Sequence, residues 1–75
     1  MELNGTAIRR ARIRKGMSLR DVAKACALRE CPVDASNLAR AERGRPGGIG
    51  PRKIPILAEV LGLSIDELVP DEEAA

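Results

Sequence analysis

The stretch that decides the fold is residues 18–44, which reads SLRDVAKACALRECPVDASNLARAERG. It opens on Ser18, a residue type that caps helix N-termini, and Asp21 three positions later completes a variant of the capping box. Apolar residues then recur at the spacing of one buried helical stripe, at Leu19, Val22, Ala23, Cys26 and Ala27. The pattern predicts a helix over residues 18–28.

The second half of the stretch predicts another helix, over residues 34–43. Asp34 stands at its N-cap position, and Gly44 follows its last turn as glycine commonly does. Leu38 is the only large apolar residue on the inner side, whereas the outer side is small and polar and carries Arg40 and Arg43. Because such a helix adds little to a core, its outer side favours a role in binding.

Outward from this stretch, the chain reads as three further short helices. The first is expected from a cap at Thr6 to Gly16, and the fourth from Lys53 to Gly62. The fifth begins with a capping box at Ser64 and stops at Pro70. No segment alternates as a strand does. The prediction is therefore all-α, a compact five-helix domain spanning residues 1–75, with an ordered core at about 5–70 and an acidic tail at 71–75.

The composition excludes most kinds of chemistry. The chain has no His, Phe, Trp or Tyr, so it offers neither a histidine base nor aromatic platforms for stacked bases. Ser18 and Ser64 have no base to activate them and are interpreted as caps. Cys26 and Cys31 are too few to hold zinc without histidine. We expect no enzymatic activity, no cofactor and no metal, with Cys26 in the core and the redox state of both thiols open.

The distribution of charge suggests a polyanionic partner. Residues 1–53 contain all 13 Lys and Arg and 5 of the 11 acids, which gives +8, whereas residues 54–75 contain 6 acids and no base, which gives −6. A surplus of this kind attracts polyanions such as nucleic acid. The longest apolar run, residues 54–58, is far shorter than a membrane span, and a cytoplasmic, nucleoid-associated protein with no membrane partner is expected.

Two helices joined by a turn, with a polar outer face on the second, form the layout of a helix-turn-helix that reads the DNA major groove. Asn37 has the amide that pairs with adenine, Arg40 the guanidinium that pairs with guanine, and the small Ala35 and Ser36 permit close approach. The expected phosphate contacts are the basic residues on flanking segments, Arg20, Arg43, Arg45, Arg52 and Lys53.

The chain resembles the Cro/repressor-type, xenobiotic-response-element-like helix-turn-helix family. The resemblance is carried by GMS at 16–18, AERG at 41–44 and LGLSIDEL at 61–68. It implies a repressor-like five-helix fold in which Ala35, Ser36 and Arg40 read bases and Arg52 contacts phosphate. It also implies a structural ion pair between Arg12 and Glu42, two charges that otherwise lie unexplained on apolar helix faces.

Two departures from the family pattern concern the binding surface. The turn at residues 27–32 is lengthened and lacks the family's glycine, so that either the second helix runs further or the turn is a looped insertion. Leu19 stands where the family often has a glutamine that contacts DNA, so one usual contact is lost.

The resulting hypothesis is a sequence-specific regulator of transcription, a repressor or an activator, that binds double-stranded DNA through residues 34–43. A domain of this size covers a half-site, which implies a homodimer on a palindromic operator, joined around residues 65–69. The alternative is a protein–protein interaction module that reuses the helix-turn-helix fold to bind a partner or toxin.

Overall fold

The computed structural model describes residues 3–45 and 49–69. Within these ranges the chain is all-α and contains no strand, as predicted. The helices are α1 (Gly5–Arg14), α2 (Leu19–Leu28), α3 (Ala35–Glu42), α4 (Ile54–Leu61) and α5 (Ile65–Leu68), and a 3₁₀ turn, Pro51–Lys53, precedes α4. The acidic tail at 71–75 and the stop expected at Pro70 lie outside the described residues. None of the helices described is long and apolar enough to cross a bilayer.

Two helices begin with complete capping boxes. The Ser18 N–H donates to Asp21 Oδ2 at 2.9 Å, and the Asp21 N–H donates to Ser18 Oγ at 3.0 Å. At α5 the same reciprocal bonds join Ser64 and Glu67, at 2.9 and 3.1 Å. These hydrogen bonds, led by the one from the serine N–H, hold the pKa of Asp21 and of Glu67 below their usual values.

The start of α1 differs from the prediction. Asn4, not Thr6, caps the helix, and its Oδ1 accepts the Ala7 N–H at 3.2 Å. Asparagine and threonine both favour this position, and Asn4 is also fixed from its other side because its N–H donates to Leu68 O at 2.8 Å. Asp34 does occupy the N-cap of α3, but it makes no side-chain capping hydrogen bond.

The lengthened turn is closed without glycine. The backbones of Gly16, Gly44 and Gly62 are left-handed where α1, α3 and α4 end, whereas Glu30 takes this conformation, with φ of 59°, after α2. The Cys31 N–H donates to Cys26 O at 3.1 Å and the Glu30 N–H to Ala27 O at 2.9 Å, the hydrogen bonds of a Schellman motif. Helix α2 therefore runs to Leu28, and residues 29–34 form the connection to α3.

The core lies among the five helices and takes buried side chains from each of them. Helix α2 packs against α3 and α4, and α1 packs against α3, α4 and α5. The largest side chains buried completely are Ile8, Leu38, Leu57, Leu68, Val22 and Cys26.

The stripe predicted for α2 is wrong at one residue. Ala27 is exposed, and Ala25 packs against the core instead. The buried side of α2 is centred on Val22 and Cys26, and on a helical surface Ala25 flanks that centre whereas Ala27 turns toward solvent. Leu28, the next residue, is 79% exposed.

Candidate nucleic-acid interface

The outer side of α3 is open to solvent. Leu38 and Ala41 are buried toward the core, and Ser36, Arg40 and Arg43 are exposed on the opposite side. Ala35 and Asn37 are half-buried at the flanks of the exposed side. We call the exposed side, defined by Ser36, Arg40 and Arg43, the outer face of α3. It presents a hydroxyl and two guanidinium groups on a helix whose opposite side is anchored.

An ion pair fixes α3 to α1. Arg12 Nε lies 2.6 Å from Glu42 Oε2, and Arg12 Nη2 donates to Glu42 Oε1 at 3.1 Å. Arg12 Nη1 also donates to Met17 O at 3.0 Å, which ties the pair to the segment before α2. The arginine and glutamate side chains are 17% and 9% exposed. The hydrogen bond to Glu42 raises the pKa of Arg12, so the guanidinium stays protonated. Both carboxylate oxygens of Glu42 accept a hydrogen bond from it.

The N-terminus of α1 contacts the end of α3 so closely that only glycine fits. A Cβ atom built on Gly5 would lie 2.5 Å from Glu42 O and closer still to Ala41 O. Gly5 is buried. Sequence reasoning missed this residue, because nothing local distinguishes a glycine at a helix start from one required by a distant backbone.

The five basic residues predicted to contact phosphate lie on elements next to α3 in the chain. Arg20 is exposed in the first turn of α2, and Arg43 and Arg45 are exposed where α3 ends. Arg52 is exposed and Lys53 half-buried in the 3₁₀ turn before α4. Over residues 3–45 and 49–69, ion pairs join Arg12 to Glu42 and Arg29 to Glu59, and these five basic residues take part in none.

A groove between α1, the start of α2 and α3 brings one more cation, Arg9, to this side. We call it the α1–α3 groove, and it is lined by Arg9, Leu19, Ala39, Glu42 and Arg43. Sequence reasoning assigned no role to Arg9. In the sequence Arg9 and Arg10 are equivalent, and only the packing of α1 shows that Arg9 lies beside α3 whereas Arg10 lines a separate groove against α5.

The described part of the chain carries two cysteine thiols besides its carboxylates. It contains no group of three Cys, Asp or Glu side chains placed to hold a metal ion. Cys26 is buried, and burial raises the pKa of its thiol. Cys31 is half-buried, and both thiols are free. A buried thiol with a raised pKa is a poor nucleophile, so Cys26 acts as a core side chain, as the sequence predicts.

A family model described as a helix-turn-helix domain matches residues 5–70, nearly the whole chain. No curated protein and no solved structure matches significantly.

Proposed function

The chain belongs to the helix-turn-helix domain family, and on that premise we propose that it is a sequence-specific regulator of transcription of the Cro/repressor type. Proteins with this motif bind DNA by placing the second helix of the motif in the major groove. The observation that carries the proposal is the outer face of α3, where Ser36, Arg40 and Arg43 are exposed while Leu38 anchors the helix from behind.

In the proposed complex α3 reads base edges. Arg40 pairs with guanine through two hydrogen bonds, and Asn37 pairs with adenine. Ala35 and Ser36, in the first turn of α3, are short enough to let the helix approach the bases. The Arg12–Glu42 pair supports this function indirectly, because it holds α3 at a fixed depth relative to α1.

The surrounding cations hold the DNA backbone. Arg20 lies on one side of α3 in the chain, and Arg43, Arg45, Arg52 and Lys53 on the other. Phosphate contacts of this kind fix register and orientation without reading sequence. The function needs neither a cofactor nor a catalytic residue.

Dimerisation on a palindromic operator completes the proposal. One chain covers a half-site, so two chains related by a two-fold axis read an operator of matching symmetry. The segment proposed to join the two chains is residues 65–69. It contains no Lys or Arg, and Ile65 in it is 47% exposed.

Selection of bound duplexes from a random pool tests the proposal directly. The wild-type chain should enrich one palindromic site. Arg40→Ala should relax preference at one base position in each half-site, at a cost of about 1–3 kcal/mol on the preferred site. Arg52→Ala should weaken binding to all sequences alike.

Salt dependence separates this function from docking of a protein partner. With 6–10 phosphate contacts, affinity for the selected duplex should fall by about 10³–10⁵ between 50 and 200 mM salt. A pool that enriches no sequence, together with duplex binding unaffected by both substitutions, would replace the proposal with the protein-interaction module.

A further inference from the structure

We propose that the α1–α3 groove binds one phosphate of the DNA backbone between the guanidinium groups of Arg9 and Arg43. The inference rests on the proposed function and adds Arg9, a residue of α1, to the DNA-binding surface. Leu19, at the start of α2, has an apolar side chain and cannot contact DNA through a hydrogen bond. In the proposed complex, Arg9 and Arg43 make a phosphate contact near that position instead.

The lining of the groove fits a phosphate diester. Leu19 and Ala39 contribute only apolar side chains, so the side-chain hydrogen-bond donors are the guanidinium groups of Arg9 and Arg43. Both arginines are exposed, and within the described residues neither is engaged in an ion pair. Arginine is suited to phosphate oxygens because its planar fork donates two parallel hydrogen bonds.

The one acid in the groove does not cancel this positive charge. Glu42 lines the groove, but both of its carboxylate oxygens accept hydrogen bonds from Arg12. The pair is neutral as a unit, and the glutamate side chain is only 9% exposed. The net charge facing the groove is therefore that of Arg9 and Arg43, and an anion that enters meets no repulsion from an unpaired carboxylate.

The groove is continuous with the outer face of α3. Arg43 belongs to both, and Ala39 lies three residues from Ser36, the spacing of neighbours on a helical surface. A duplex seated on the outer face therefore passes the mouth of the groove. Arg9 reaches the same backbone from α1, so that one phosphate is held by two helices.

Arg10 provides a matched control. It neighbours Arg9 on α1, carries the same charge and is also exposed. It lines the other groove, against α5, together with Asn4, Leu63 and Glu67. General attraction between a basic protein and DNA predicts equal losses for Arg9→Ala and Arg10→Ala, whereas a phosphate contact in the α1–α3 groove predicts a loss for Arg9→Ala alone.

The experiment measures the affinity of the full chain for its selected duplex as a function of salt. On the palindromic duplex, Arg9→Ala removes one phosphate contact from each of the two chains, which lowers the slope of log K against log [salt] by about 1.8. The advantage of wild type over Arg9→Ala should therefore shrink about 12-fold between 50 and 200 mM salt, and Arg10→Ala should retain the wild-type slope. Unchanged thermal unfolding of both variants shows that the fold is intact.

Neutral phosphates locate the contact. In duplexes with a single methylphosphonate, one position in each half-site should weaken wild type more than it weakens Arg9→Ala, because the variant retains only Arg43 there, and Arg43→Ala should show the reduced effect at the same position. If wild type binds no duplex, the proposed function falls and this inference with it. If wild type binds with a steep salt dependence and Arg9→Ala keeps the same slope, or if Arg9→Ala and Arg10→Ala lose affinity equally, the groove contact alone is refuted.

Discussion

Among the described glycines, Gly5 is the one whose added Cβ would meet backbone from a distant part of the chain, at the contact between α1 and the end of α3. On helix propensity alone, alanine is preferred to glycine. In this fold the added methyl group would collide with the carbonyl oxygens of Ala41 and Glu42, and these atoms belong to backbone that cannot rotate away. The collision outweighs the propensity.

We expect Gly5→Ala to lower the free energy of unfolding by about 1–3 kcal/mol, the usual cost of overpacking, as measured by urea denaturation. Thr6→Ala, at the exposed neighbouring position, should change it by less than about 0.5 kcal/mol. A Gly5→Ala variant as stable as wild type would show that α1 can move away from α3 at no cost.

Removing one partner of the Arg12–Glu42 pair should destabilise the fold more than replacing both partners with apolar residues. Glu42→Ala leaves the Arg12 guanidinium, only 17% exposed, without its partner, and should cost about 3 kcal/mol, the lower end of the range for breaking a buried pair. The double variant Arg12→Met with Glu42→Leu should unfold at a higher urea concentration than Glu42→Ala, because no unpaired charge remains. Equal stability of the single and double variants would contradict this account.

At the residue scale, the sequence predicts a role for residues that differ from their neighbours on the same helix face. Arg12 and Glu42 draw attention because each is a charge on an otherwise apolar helix face. The sequence predicts Thr6 as the cap of α1 because two capping residue types stand close together, whereas the contact of Asn4 with Leu68 that accompanies the observed cap is distant in sequence.

At the scale of elements, the end of α2 is where a non-glycine residue adopts the left-handed backbone conformation. Glu30 is the described non-glycine residue with positive φ, where a side chain is disfavoured by about 1–2 kcal/mol. Its hydrogen-bonding pattern is the one that glycine makes at the ends of α1, α3 and α4.

Glu30→Gly should therefore stabilise the protein, by about 1 kcal/mol, in thermal or urea unfolding. Glu30→Ala removes the same carboxylate but keeps the Cβ atom, so it should give no comparable gain. If both substitutions stabilise equally, the cause is the carboxylate and not the backbone.

The capping boxes should make stability depend on pH in the acid range. Because the hydrogen bonds from Ser18 lower the pKa of Asp21 in the folded chain, their contribution is complete above the unfolded pKa of about 4 and is lost as pH falls through the lower, folded value. Wild type should exceed Asp21→Asn in melting temperature at neutral pH, and the difference should vanish in strong acid. A difference that stays constant down to strong acid would exclude the ionised carboxylate as its source.

Local sequence predicts most of the helices and their ends. Capping boxes, glycines after the last turn and apolar spacing predict all five helices. The exception is the end of α2, where the chain carries no glycine signal and the left-handed residue is a glutamate that local rules do not select. The misplaced Ala27 has the same origin, since the centre of the buried stripe is set by what α2 packs against.

On the scale of the whole molecule, tertiary packing brings together residues from distant parts of the chain. Arg9, Leu19 and Arg43 meet in one groove, and no local rule brings them together because they come from three different helices. The positions proposed to read bases follow from the layout of two helices, but the residues that border them depend on tertiary packing.

The proposed dimer gives a prediction at this scale. Ile65→Glu, at a position 47% exposed, should place like charges at a two-fold interface, lowering affinity for the palindromic operator while leaving that for an isolated half-site unchanged, as measured by titration of both duplexes. Ile13→Glu, at a position 56% exposed on α1, is the control and should affect both duplexes similarly. One chain per operator at saturation would rule out the dimer.

The open outer face of α3 has a consequence for engineering. Because residues 36, 40 and 43 are exposed while the anchoring of α3 comes from Leu38, Ala41 and Glu42, a combinatorial library that randomises those three codons should yield mostly folded members. Under the proposed function, selecting library members that bind new operators becomes a search over side chains with little penalty in expression or melting temperature.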